Sequence, residues 1–585
     1  MIKTLGAFIG KYKKSSILTP IFAALEVVME MLIPYLTAFI IDDGIKSGNM
    51  GNVVKYGIAM LIIACASLYF GVQSGFFASD ASAGFAANLR KGMFDKIQTY
   101  SFSNIDKFST AGLVTRLTTD VTNIQNAYQM IIRICVRAPF TLIAAMIMSF
   151  ILSPELASIF LIVIIVLAVI LFMLIRATMK IFDSVFKKYD ALNASVQENV
   201  SAIRVVKAYV REDYENEKFG KAAGALYKLF VKAETLIAIN NPVMMASIYG
   251  SMLLISYVGA NLIVAGNLTT GELTSFYTYI MNIMMSLMMI SMLFVMITMS
   301  VASAKRICEV LNEVPDIAEP ENAVNEVKDG SIDFDHVNFA YKKGSGEYVL
   351  KDIDLHIKYG ETIGIIGGTG SAKSSLVNLI SRLYDVSEGS VKVGGVDVRD
   401  YDLKLLRDSV SVVLQKNVLF TGTIYDNLRW GNENATDEEC ENAAKLACAD
   451  EFIDRFPDGY NTKIERGGAN VSGGQKQRLC IARALLKSPK VLIMDDSTSA
   501  VDTATDAKIR SAMKTAIPGT TKIIIAQRIS SVKDADRIIV MDNGMINGFD
   551  THENLMKNND IYREVVEMQS EGGGDFDKPG EGGNA

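Results

Sequence analysis

The chain has 585 residues, half of them hydrophobic, with a net charge of −6. That is too apolar for an ordinary soluble protein and too charged for one wholly within a membrane, so two kinds of domain are expected. No dense basic block appears in the second half, which argues against a nucleic-acid partner.

The amino terminus, MIKTLGAFIGKYKKSS, places Ile2, Leu5, Phe8, Ile9 and Tyr12 at helical spacing among Lys3, Lys11, Lys13 and Lys14. This is the pattern of an interfacial helix rather than a cleaved signal, because the first long apolar run begins only after Lys14. Six runs long enough to span a hydrocarbon core follow, near Ser16 to Ile41, Val54 to Phe77, Met130 to Leu152, Ala157 to Met179, Ile237 to Val264 and Leu273 to Val301. The short connections at 42–52, 153–155 and 266–272 carry Lys46 as their cation and are expected outside.

Two longer connections are basic, with Arg90, Lys91, Lys96, Lys107 and Arg116 in one and Lys180, Lys187, Lys188, Arg204, Lys207 and Arg211 in the other. The positive-inside bias makes them cytoplasmic, together with both termini. Their amphipathic patterning predicts helices that run on past the apolar stretches and turn at SFSNIDKF and REDYENEKF. The six cysteines show no metal-like pairing, and neither a disulfide nor a metal cluster is expected.

Glu26 and Glu30 lie one turn apart in the first span, either as an attraction for cationic cargo or as a structural pair near a polar interface. The last span carries Met281, Met284, Met285, Met288, Met289, Met292, Met296 and Met299, which suit an adaptable cavity but cover more than one helix face, as packing or lipid-facing residues would.

In the second half, TIGIIGGTGSAKSSLVNLI is an apolar strand ending at Gly367 and a helix beginning around Lys373. This is a phosphate-binding loop over Gly367, Gly368, Thr369, Gly370, Ser371, Ala372, Lys373, Ser374 and Ser375: backbone amides approach phosphate, Lys373 neutralises charge and Ser374 reaches magnesium. Ala372 stands where a glycine usually precedes the lysine. Binding survives that change provided the position does not need a positive φ. KVLIMDDSTSAVD is a buried strand ending in Asp495, which would hold the magnesium shell opposite Ser374.

Between them lies NVSGGQKQRLCIARALL, with Ser472, Gly473, Gly474 and Gln475 ahead of a helix. A phosphate loop, an SGGQ segment and a DDSTSAVD strand in this order resemble the ATP-binding-cassette superfamily. The resemblance implies that adenine stacks on Tyr341, that Gln415 joins Ser374 and Asp495 around Mg2+, and that Asp502 ends the D-loop. Six spans with two long cytoplasmic loops before a single cassette resemble its exporter type. The implied architecture is an all-α six-helix transmembrane domain (1–312), a linker (313–330), an α/β nucleotide-binding domain (331–570) and a flexible glycine-rich tail (571–585).

The family places ATP between the phosphate loop of one cassette and the SGGQ of another, so a single-cassette chain must pair. It usually carries glutamate after the magnesium aspartate and a histidine in the strand after the D-loop; here these positions are Asp496 and Gln527. Retracting a base by about 1 Å costs on the order of a hundredfold in rate, and an amide cannot carry a proton as histidine does. The competing reading takes Asp496 and Gln527 as tolerated variants of a working site. As a pair they resemble the impaired-site subunit of heterodimeric bacterial multidrug exporters, which implies ATP-driven efflux of amphipathic compounds across the cytoplasmic membrane with a second half-transporter as partner. Lipid, peptide or metal-chelate transport, a homodimer with two slow sites, and an ATP-gated regulator or channel remain alternatives on the same architecture.

Overall fold

The structure, a computed structural model, describes residues 1–342 and 346–571, so the tail expected over 571–585 lies outside it from residue 572 on. The side chains of Lys180, Lys187 and Met299 also lie outside the described set. Two compact units emerge: Met1–Thr99 with Ser109–Glu313, and Tyr100–Phe108 with the described residues from Val314 onward.

The first unit is helical. Among the described residues, six helices in it are long and apolar enough to cross a membrane: Ile2–Ile45, Met50–Gln98, Thr110–Leu152, Pro154–Thr178, Glu212–Val264 and Thr270–Leu293. Their starts follow the local chemistry of capping. Asn49 accepts from the amides of Gly51 and Asn52, Ser153 precedes Pro154 at the first helical position, and Thr269 and Glu272 form a reciprocal capping box. Helices of 49, 48 and 53 residues, over Met50–Gln98, Pro154–Ser201 and Glu212–Val264, far exceed the roughly 20 residues a hydrocarbon core requires.

The first reversal falls as expected, since SFSNIDKF forms the short helix Phe102–Phe108. The second does not. The chain turns earlier, around the short helix Ile203–Ala208 and Val210 at φ 52°, and REDYENEKF instead opens the helix Glu212–Val264. Glu212, Asp213 and Glu215 in its first turn complement the positive end of the helix dipole, which explains why this polar stretch starts a helix rather than ending one.

The amino-terminal segment packs along the helix Met50–Gln98. A Cβ on Gly84 or Gly92 would lie 2.2 Å from the rings of Tyr12 and Phe8, so both glycines serve as notches for aromatic side chains. Phe160, Phe276 and Tyr279 are fully buried in this unit's core, and Tyr279 donates its hydroxyl to the Met31 carbonyl at 2.8 Å.

Buried charge in this unit is paired. Asp120, 1% exposed, accepts from Arg306 Nε at 2.8 Å and from Ser303 at 2.8 Å. Glu30 accepts from Arg137 at 2.7 Å, and the same guanidinium lies 3.4 Å from Glu26. The two span acids thus share a resident cation on the neighbouring helix.

The second unit is built on two main sheets. The six-stranded one runs in the order Met545–Asp550, Arg537–Asp542, Thr362–Gly367, Thr521–Ile525, Val491–Asp495, Val410–Val413, parallel except for the first edge strand. Val491–Asp495 and Thr521–Ile525 are buried at every position, the near-continuous apolar run that a doubly covered parallel sheet demands. A four-stranded antiparallel sheet includes Leu350–Ile357, Ile332–Phe339 and Glu388–Val393 and closes the core against the helix Lys373–Ile380.

Candidate nucleotide site

Parallel strands deliver their carboxyl ends to one edge, where open α/β sheets bind ligands. Here Thr362–Gly367 lies beside Thr521–Ile525, which lies beside Val491–Asp495, so Gly367, Asp495 and the residues leading to Gln527 emerge together. With Gln415 they line one cavity of about 580 Å³.

The glycine-rich loop joins the strand Thr362–Gly367 to the helix Lys373–Ile380. Gly367 has no room for a side chain, since a Cβ there would meet the Met541 carbonyl at 2.3 Å. Ala372 does not meet the condition set by its sequence: its backbone is left-handed, φ 71° and ψ 25°, at the N-cap of the helix Lys373–Ile380. The methyl group therefore occupies a conformation that costs an L-residue about 1 kcal/mol. Lys373 turns its ammonium back into the loop, donating to the carbonyls of Gly367 at 2.8 Å and Gly368 at 2.9 Å. Burial lowers its pKa, and the carboxylates of Asp495 and Asp496 oppose that shift.

Asp495 is 6% exposed; burial pushes its pKa up, and a hydrogen bond from Ser374 pulls it partly back. Ser374, Gln415 and Asp495 all face the cavity. They offer a hydroxyl, an amide oxygen and a carboxylate, the hard oxygen donors that suit Mg2+ together with phosphate. A magnesium ion bound there would neutralise phosphate charge.

Asp496 adopts φ 50° immediately after the strand. Gln527 Nε2 donates to its Oδ2 at 2.7 Å, and Gln415 adds a second side-chain hydrogen bond. Burial raises the Asp496 pKa, and these two amides hold the rise back. Asp496 and Gln527 are thus joined to each other.

Other expected site residues lie outside the cavity. Tyr341 is half exposed, with its hydroxyl 2.8 Å from Ser375 Oγ on the phosphate-loop helix. Asp502 caps the helix Thr503–Ala516 by accepting from Thr505 N, a contact that lowers its pKa. Ser371 is buried, with its hydroxyl 3.4 Å from the Lys373 ammonium.

Ser472 and Gln475 close a reciprocal cap on the helix Gly473–Leu486, and a Cβ on Gly474 would meet the Ala500 carbonyl at 2.7 Å. The SGGQ segment is thereby packed on the chain that leads to Asp502.

Three residues of this region were not singled out from sequence. Gln477 bridges Ser499 and the Ala500 amide, Tyr384 packs edge-on against Tyr341, and Gln569 enters the cavity from the last helix. Gln477 sits two residues past the SGGQ segment and was within reach of motif reasoning; the others lie in no local pattern.

Comparison with known proteins accounts for both halves. A family model described as the ABC transporter transmembrane region matches residues 16–307, and one described as ABC transporter matches 350–499. The chain belongs to the ABC transporter family. This ABC transporter is 36% identical over 563 residues to the uncharacterized ABC transporter ATP-binding protein YfiB of Bacillus subtilis, covering 96% of this chain and 98% of that one. It is 33% identical over 575 residues to an uncharacterized ABC transporter ATP-binding protein of Mycobacterium tuberculosis, covering 97% and 98%.

Its fold matches a structure described as a bacterial Atm1-family ABC exporter with ATP bound, at a TM-score of 0.82, 23% identity, and coverage of 95% and 99%. The ABC transporter thus has the exporter-type half-transporter architecture: a multi-pass membrane region followed by an ATP-binding α/β domain.

Proposed function

We propose that this ABC transporter is the degenerate-site subunit of a heterodimeric exporter that expels amphipathic, drug-like compounds across the cytoplasmic membrane. The observation that carries the reading is the bond between Gln527 and Asp496. A carboxylate one methylene short of the usual glutamate is engaged by the amide that replaces the usual histidine. Neither group is set to take a proton from an attacking water.

In this reading Lys373, Ser374, Gln415 and Asp495 hold MgATP, Tyr341 receives the adenine, and Asp502 supports the pairing face. Ser472, Gly473, Gly474 and Gln475 complete the working site of the second half-transporter. The basic connections, both termini and the nucleotide-binding domain are cytoplasmic. Cargo recognition does not depend on a bare pair of membrane acids, because Arg137 already serves both Glu26 and Glu30.

The test is the asymmetry of the two faces. Asp496→Asn is expected to leave ATP turnover of the assembled complex within about twofold, whereas Ser472→Ala or Gly473→Asp removes at least about tenfold of it. A complex silenced by Asp496→Asn would overturn the degenerate-site reading.

A further inference from the structure

We propose that Gln569, on the last described helix, is a positioning residue for the segment that carries Gln527. That helix, Asp560–Glu571, is fixed at its base. Tyr562 is fully buried, its hydroxyl lies 2.6 Å from His552 Nδ1, and its amide donates to Asn559 Oδ1 at 2.9 Å. Val565 and Val566 pack on the same core. Residues spaced by three, four and seven share a helix face, so Gln569 stands two turns above Tyr562, where Val565 and Gln569 both reach the nucleotide cavity.

The single amide of Gln569 satisfies two backbone groups that no strand pairing serves. Its Nε2 donates to the Gln527 carbonyl at 2.8 Å, and its Oε1 accepts from the Ile529 amide at 2.9 Å. The strand has ended at Ile525 and a short 3-10 turn begins at Ile529, whose amide is one of the donors a helix start leaves open. Gln569 thus clamps the main chain on both sides of residue 528. With the backbone of Gln527 held from one side, its side chain extends to Asp496 on the other. The geometry assigns Gln569 the task of aiming the Gln527 amide toward the phosphate end of the site.

A residue that only fastened the helix to the domain would act independently of the Gln527 side chain, and a thermodynamic cycle separates the two roles. The full-length chain in lipid nanodiscs is loaded with a mant-labelled ATP and Mg2+, and nucleotide dissociation is followed for the wild type, Gln569→Ala, Gln527→Ala and the double variant. Losing an aimed hydrogen bond corresponds to about fivefold in rate. Gln569→Ala is expected to speed dissociation by about that factor in the wild-type background and by less than about 1.5-fold once Gln527 is alanine.

Gln569→Glu keeps the acceptor for Ile529 but sets a carboxylate against the Gln527 carbonyl, and it should reproduce the alanine result. Equal effects of Gln569→Ala in both backgrounds, or unchanged dissociation with a lowered melting temperature, would overturn the proposal. The inference concerns nucleotide retention alone, so it stands or falls separately from the turnover test of Asp496.

Discussion

Tyr384 donates its hydroxyl to Asp106 at 2.8 Å, while its ring meets that of Tyr341 edge-on at 5.1 Å. Burial and the Asp106 carboxylate both raise the phenol's pKa. The short helix Phe102–Phe108 is therefore joined, through one side chain, to the aromatic proposed to receive adenine and to its partner Ser375. Tyr384→Phe keeps the ring and removes the tie. A hydrogen bond of about 1 kcal/mol is lost, so nucleotide affinity is expected to hold within about twofold while dye accumulation per ATP consumed, in inside-out vesicles, falls severalfold. An equal fall in affinity and transport would show that Tyr384 serves the base site alone.

Ala372 gives a prediction of opposite sign. Because its backbone is left-handed, Ala372→Gly relieves strain that glycine does not feel, at some cost in unfolded-chain entropy. The nucleotide-binding unit is expected to gain up to about 1 kcal/mol, read as a higher melting temperature, and mant-ATP affinity is expected to rise. Ala372→Val, with a branched side chain in the same conformation, should lower both.

Arg137 holds two carboxylates in the membrane region, and Glu26 still keeps one buried oxygen without a hydrogen-bond partner. Removing the cation alone is far worse than removing the whole cluster. Arg137→Met is expected to cost about 3 kcal/mol or more, measured by thermal unfolding in detergent. Adding Glu26→Gln and Glu30→Gln to it should recover most of that loss. If the triple variant is as unstable as the single one, the guanidinium acts by packing rather than by charge.

The chemistry positions can be tested by restoration. In the proposed heterodimer, Asp496→Glu with Gln527→His is expected to raise turnover at this site by at least about tenfold when the second half-transporter's site is inactivated. Asp496→Glu alone should yield less, since Gln527 is left in place. It should also cost a few tenths of a kcal/mol, because aspartate tolerates φ 50° better than glutamate.

The six spans, the long helices and the order of the nucleotide motifs were legible because each is written in a contiguous stretch: an apolar run, a glycine-rich turn, a strand ending in acid. What was not legible depends on meetings between distant segments. Arg137 lies inside an apolar run and reads as an anomaly until its helix places it against Glu26 and Glu30. Tyr384 and Gln569 sit in unremarkable sequence and acquire roles only by what they touch. The left-handed turn at Ala372 was foreseeable in kind, since glycine is usual there, but whether the alanine had escaped that conformation is a backbone fact. The second reversal lies earlier than the amphipathic pattern predicts, because Glu212, Asp213 and Glu215 at a helix start are favoured by its dipole.

Ser472 caps the helix Gly473–Leu486 with its own side chain. Its hydroxyl accepts from the Gln475 amide while Gln475 Oε1 accepts from the Ser472 amide at 2.8 Å, so these two amides at the helix start are served within the segment itself. In the proposed heterodimer, the surface offered to the second cassette is in this way held in shape by its own side chains. On that reading little ordering entropy is spent at each closure, and the free energy of nucleotide binding goes into bringing the cassettes together rather than into building the face on which they meet.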